Sequence, residues 1–219
     1  PSEGVSAVQK LQMITQEGGN VSVVGIDGNF DDAQRAVKQA FSDPGIAEEC
    51  RRNGVFLSSA NSINIGRLLP QIAYYFWSYL SMARIGAVNM GEELDFCVPS
   101  GNFGNCLAGW MAREMGVPAR RFTVASNPND ILTDFFRTGV YDARREFFKT
   151  CAPAMDILVS SNMERLLWYM TDKDGDRVRA LMEGLRKDGY YKVEGDVLDR
   201  IREDFRAGFL TEEEIKETI

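Results

Sequence analysis

Histidine is absent from the 219-residue chain. Its absence removes Ser-His and Cys-His nucleophile pairs, imidazole acid–base chemistry and histidine-containing metal sites. Cysteine is sparse: Cys50, Cys97, Cys106 and Cys151 are widely spaced and form no C-x-x-C pair. Neither a zinc site nor a redox centre is therefore expected, no metal is assigned, and reduced thiols are the default. No apolar run approaches the roughly 20 residues that cross a bilayer, and no basic-then-apolar leader opens the chain. Positive charge is in deficit, with 25 Lys and Arg against 32 Asp and Glu for a net charge of −7. Such a field repels phosphate backbones and anionic lipid, so neither nucleic acid nor membrane is expected as a partner. A soluble, cytoplasmic protein is the expectation.

What is present is a chain that is 44% hydrophobic, enough to build a real core. Pro1 in place of Met, and Ile219 just after a helical pattern, make both ends read as cut, so an internal fragment is expected. Val5, Val8, Leu11 and Ile14 suggest a short amphipathic helix against a sheet, and the β-branched run Val21, Val23, Val24 and Ile26 a buried strand. A helix is predicted next, with Asp31 and Asp32 at its start and Ala33, Val37, Ala40 and Phe41 on its apolar face. Residues 54–59 read as another short strand. Ile65, Leu68, Leu69, Ile72 and Phe76 then predict a largely buried helix that Pro70 must kink or delay.

The clearest unit is a strand over residues 94–98, a polar glycine loop, a helix through Leu107, Trp110, Met111 and Met115, and a strand over residues 122–125. That order predicts a right-handed βαβ crossover in a parallel sheet. Beyond Asn129 the pattern turns helical, with no convincing strand before the end. Capping boxes are predicted at Ser161/Glu164 and Thr211/Glu214, and helical stripes at Val178, Leu181, Met182, Leu185 and at Val197, Ile201, Phe205.

The loop Ser100-Gly101-Asn102-Phe103-Gly104-Asn105 lies between a strand end and a helix start. Glycines let backbone N–H groups turn inward, and the helix N-terminus adds roughly half a positive charge, which makes an anion site. Open α/β sheets bind ligands at this carboxyl end of their strands. The dinucleotide pattern G-x-G-x-x-G and the Walker pattern with its lysine are both missing, which leaves a small phosphorylated ligand. A tight turn that needs Asn and Gly only for backbone conformation would read the same way. Cys106, in the first turn of the helix, reads as a packed thiol.

The string Pro99-Ser100-Gly101-Asn102-Phe103-Gly104-Asn105 resembles the P-[ST]-G-N-F-G-[ND] loop of threonine synthases, pyridoxal-phosphate enzymes of the tryptophan synthase β-subunit fold. Ser59-Ala60-Asn61-Ser62-Ile63-Asn64-Ile65-Gly66-Arg67 resembles the S-A-N-S-I-N-x-x-R segment of the same family. The resemblance extends through Ser126-Asn127-Pro128-Asn129-Asp130 and Pro153-Ala154-Met155-Asp156-Ile157, and thins after about Tyr191. It implies an incomplete α/β fold of the three-layer, parallel-sheet, pyridoxal-phosphate fold type II, with helical additions toward the C-terminus. Residues 1–60 would belong to a small mobile domain, and 61–219 to the large cofactor domain with a helical insertion after about residue 140.

The resemblance further implies that Gly101, Asn102, Phe103, Gly104 and Asn105 grip the phosphate of pyridoxal 5'-phosphate. Asn61, Ser62, Arg67 and Asn102 would grip that of O-phospho-L-homoserine, the substrate that the family converts with water to L-threonine and phosphate. The family's Schiff-base lysine lies in an F-K-D type segment that is missing here. Phe147-Phe148-Lys149-Thr150 does not replace it, so no catalytic residue is assigned and the chain alone is expected to be inactive. The alternatives are another fold type II lyase such as a threonine dehydratase, which would lack the arginine for a substrate phosphate, or a non-catalytic α/β interaction module. Oligomeric state is left open.

Overall fold

A computed structural model of the chain describes residues 7–16, 18–28, 30–61 and 64–219. The chain divides into two compact units, Pro1–Ser59 and Ala60–Ile219. Among its described residues the first contains three helices: α1 (Ala7–Ile14), α2 (Phe30–Ser42) and α3 (Pro44–Arg52). Asp43 caps α3 through its Oδ1, which accepts from the N–H of Gly45 (2.7 Å) and of Ile46 (3.2 Å). Among the described residues this unit has no strand. The expected strands at 21–26 and 54–59 are both irregular and largely exposed, with Phe56 86% accessible. A β-branched run becomes a strand only when another strand supplies its hydrogen bonds, and none does so here. Val8, Leu11 and Ile14 of α1 are likewise exposed rather than packed on a sheet.

The second unit carries the core. It begins with α4 (Ile65–Leu68), a single 3-10 turn over Leu69–Gln71, and α5 (Ile72–Arg84). Pro70 sits in that turn, where its missing N–H breaks no helical bond, so the predicted interruption is found. Burial of α5 is one-sided: Tyr75 and Tyr79 are buried, whereas Trp77 is 70% exposed, which corrects the expectation of a largely buried helix.

There follow β1 (Leu94–Pro99), α6 (Gly104–Glu114), β2 (Ala119–Ser126), α7 (Ile131–Thr138), β3 (Val140–Asp142), α8 (Met163–Met170), α9 (Gly175–Asp188), β4 (Tyr190–Lys192), α10 (Asp196–Asp204), β5 (Phe205–Phe209) and α11 (Glu212–Thr218). Strands β1, β2 and β5 form a parallel sheet with β2 central, and β3 and β4 pair antiparallel. The strand–helix–strand unit around the loop is as expected. The purely helical insertion after residue 140 is not: three strands lie there, and Phe205, assigned to a helical stripe with Val197 and Ile201, opens β5 instead. Asp204 ends the preceding helix by accepting from Trp110 Nε1 (2.7 Å) and from both terminal nitrogens of Arg113 (2.7 and 2.5 Å), which ties this turn to α6.

Helices α5 and α6 approach closely at Gly109. A Cβ there would stand 2.5 Å from the Tyr75 ring and 2.8 Å from Phe122. Tyr75 lies edge-on to Phe96 and Phe122, so it has no free space to yield. Gly109→Ala is therefore expected to lower stability by about 2 kcal/mol through overpacking. The measurement is the midpoint of urea unfolding, and an unchanged midpoint would show that the helices can separate at no cost.

Candidate anion site at the N-terminus of helix α6

The loop begins where β1 and β2 end, Ser100 N–H donating to Ala125 O (3.0 Å). Its shape turns on Phe103, the residue before α6, which has φ 62° and ψ 1°. A left-handed conformation costs a non-glycine residue about 1–2 kcal/mol. The Phe103 ring is 99% buried against Phe136 and Phe205, with centroids 5.8 and 5.5 Å away. Burial of a phenylalanine contributes about 2–3 kcal/mol, which offsets the strain. The ring therefore points into the core, and Phe103 presents only backbone to the loop.

No side chain caps α6, and its first internal bond runs from Leu107 N–H to Phe103 O (2.9 Å). The N–H groups of Gly104, Asn105 and Cys106 thus have no acceptor among the described residues. Gly101 lies against the 150s segment, where a Cβ would meet Ile157 Cδ1 at 3.0 Å and the Ala154 carbonyl oxygen at 3.3 Å. Asn102 is held from the same side. Its Oδ1 accepts from Ser161 N–H (3.3 Å) and Oγ (3.2 Å), and its backbone oxygen accepts from Asn162 Nδ2 (2.9 Å). Since Ser161 N–H can only donate, the facing atom must be the amide oxygen, which leaves Asn102 Nδ2 as an unused donor. Three amide donors and one side-chain amide, with a helix dipole behind them, fit a phosphate group. Cys106 is fully buried and burial pushes its thiol pKa up, away from a reactive thiolate.

The predicted capping box at Ser161 is not formed. Asn162 precedes α8 without a side-chain cap bond, and Ser161 serves Asn102 instead. The box at Thr211 and Glu214 is present. Residues to which the sequence assigned no site role support the loop. The buried Asp156 accepts four hydrogen bonds, from Asn127 Nδ2 (2.7 Å), Asn129 Nδ2 (3.0 Å), Thr150 Oγ1 (2.7 Å) and Thr150 N–H (2.9 Å). This network fixes the segment that backs Gly101. Lys149, which precedes Thr150 in the chain, is exposed, as is every other lysine.

The second motif meets the loop through α4. Asn64 caps α4, accepting from Gly66 N–H (2.9 Å). Arg67 is exposed and its guanidinium has no partner among the described residues. Asn61 is exposed, and its backbone oxygen accepts from Asn64 N–H (3.1 Å). Ser62 lies outside the described residues. Helix α4 and the turn after it pack on α6, so Arg67 and the loop share one region of the unit.

Solved structures share this fold. The chain superposes on pyridoxal-phosphate-bound threonine synthase from Brucella melitensis with a TM-score of 0.81 and 40% identity, covering 98% of this chain and 44% of that one. For yeast threonine synthase the TM-score is 0.81 with 35% identity, covering 100% and 43%. No family model matches the chain. The fold is thus α/β with the parallel sheet of the pyridoxal-phosphate fold type II class. Among curated proteins, the chain is 42% identical to human threonine synthase-like 1 over 98% of its length and 39% identical to Pseudomonas aeruginosa threonine synthase over 100%. It spans 29% and 44% of those two proteins. Within that class the chain is similar to threonine synthases over its whole length.

Asp156→Ala is expected to lower stability by about 3 kcal/mol, because Thr150 N–H and the two asparagine amides lose a buried acceptor. Urea unfolding measures this, and a loss under about 0.5 kcal/mol would mean that the network does not hold the segment.

Proposed function

We propose that the chain is the part of a threonine synthase that binds two phosphates: that of pyridoxal 5'-phosphate on the loop, and that of O-phospho-L-homoserine beside Arg67. The observation that carries this reading is the uncapped N-terminus of α6 behind the left-handed Phe103. The amides of Gly104, Asn105 and Cys106 would hold the cofactor phosphate, with Asn102 Nδ2 as a further donor. Asn61, Ser62 and Arg67 would hold the substrate phosphate, for which a guanidinium offers two parallel charge-assisted hydrogen bonds. A free arginine next to the loop favours a phosphorylated substrate over that of a dehydratase. On this reading residues 61–219 belong to the large cofactor domain and residues 1–60 to the smaller mobile one.

The reaction would convert O-phospho-L-homoserine and water to L-threonine and phosphate. Pyridoxal phosphate supplies the electron sink for charge that develops on the substrate carbons. The chain's own residues bind and orient: the loop fixes the cofactor end, and Arg67 positions the leaving phosphate. With no lysine enclosed beside the loop, the 219-residue chain is proposed to bind ligands without turnover.

Calorimetric titration of pyridoxal phosphate and O-phosphohomoserine tests the two sites separately. Arg67→Ala is expected to weaken O-phosphohomoserine binding about tenfold or more while leaving the cofactor affinity within about twofold. Equal loss for both ligands would contradict the division of labour, and measurable threonine formation would contradict the proposed inactivity.

A further inference from the structure

One hydrogen-bonded chain joins the two motifs, and two of its members, Gln71 and Tyr75, carry no assigned role. Gln71 Nε2 donates to the backbone oxygen of Arg67 (2.9 Å), and Gln71 Oε1 accepts from Asn105 Nδ2 (3.0 Å). Asn105 Oδ1 in turn accepts from the Tyr75 hydroxyl (2.8 Å), which also reaches the Asn105 backbone oxygen (3.0 Å). The polarity of the whole chain is set at one end. A carbonyl oxygen can only accept, so Gln71 must turn its NH2 toward Arg67 and its oxygen toward Asn105. Asn105 must then offer its NH2 to Gln71 and its oxygen to Tyr75. Burial pushes the Tyr75 phenol pKa up, which keeps that donor protonated.

Both ends of the Asn105 side-chain amide are thereby engaged by protein. This holds the second residue of α6 in place, with its backbone N–H left for a ligand in the loop. Gln71 sits one helical turn after Arg67, in the 3-10 turn that Pro70 creates, and reaches both the Arg67 backbone and the loop. We infer that Gln71 is a positioning residue that couples the two phosphate sites, setting the Arg67 turn and the α6 amides in register so that one bound anion favours the other. Tyr75 locks the loop end of the same chain. The inference rests on the two-phosphate reading above.

The test is calorimetry on the protein and on Gln71→Met, Gln71→Glu and Tyr75→Phe. Pyridoxal phosphate is titrated alone, and O-phosphohomoserine with and without saturating pyridoxal phosphate. In the unaltered protein, pyridoxal phosphate is expected to tighten O-phosphohomoserine binding about fivefold or more, a coupling typical of linked sites. Gln71→Met keeps the side chain's length and loses its hydrogen bonds, and should bring that factor close to one. Gln71→Glu, which sets a carboxylate against the Arg67 carbonyl, should do the same with a larger loss of affinity. Tyr75→Phe, which touches only Asn105, should weaken pyridoxal phosphate binding about threefold. A purely structural Gln71 would lower the melting temperature of both Gln71 variants and leave the coupling factor unchanged, which overturns the inference. Failure of the unaltered protein to bind either ligand would overturn the two-phosphate reading and the inference with it.

Discussion

A phenylalanine held at φ 62° directly before a helix is unfavourable unless its ring is buried, and at Phe103 the core supplies that burial. Much else in the second unit follows from this exchange. Phe136 and Phe205 form the socket for the ring, so α7 and the start of β5 must be in place before the loop can adopt its turn. Phe205 reaches that place because Asp204 is drawn to Trp110 and Arg113 of α6. The same helix whose N-terminus is left uncapped therefore anchors, at its other end, the strand that helps shape the loop. An anion site of this kind is preorganised: its donors are fixed by the core rather than recruited by the ligand.

The loop is also held on two flanks by different chemistry. On one side, Ser161 and Asn162 fix Asn102, and the Asp156 network stiffens the segment against Gly101. On the other, Gln71 and Tyr75 fix Asn105. Asn102 and Asn105 thus each turn part of their side-chain hydrogen-bonding capacity to the protein. A motif of conspicuous polarity serves in part to hold its own backbone still.

Local patterns made part of this legible. The strand ends, expected at residues 98 and 125 and found one residue on at Pro99 and Ser126, the glycine loop before α6 and the turn at Pro70 are written in short-range signals. The run at residues 21–26 misled because β-propensity says nothing about whether a partner strand exists. Strand β5 was hidden because Val197, Ile201 and Phe205 keep a spacing of four, and the helix stops only where Asp204 meets a tertiary partner. Ser161 carried a capping signal that a contact across 59 residues overrode, whereas nothing competes with Thr211. In the candidate site the residue types of the loop were legible. The direction of the Phe103 ring, the anchoring of the Asn105 side chain and the roles of Gln71, Tyr75 and Asp156 were not, because each depends on residues distant in sequence.

The central claim is that the α6 N-terminus holds a phosphate group. A crystal structure of the protein grown with pyridoxal 5'-phosphate tests it most directly. The account predicts phosphate oxygens within hydrogen-bonding distance of the Gly104 and Asn105 N–H groups, with Phe103 unchanged in its left-handed conformation. A cofactor phosphate bound elsewhere, or a loop that rearranges to admit it, would contradict the account.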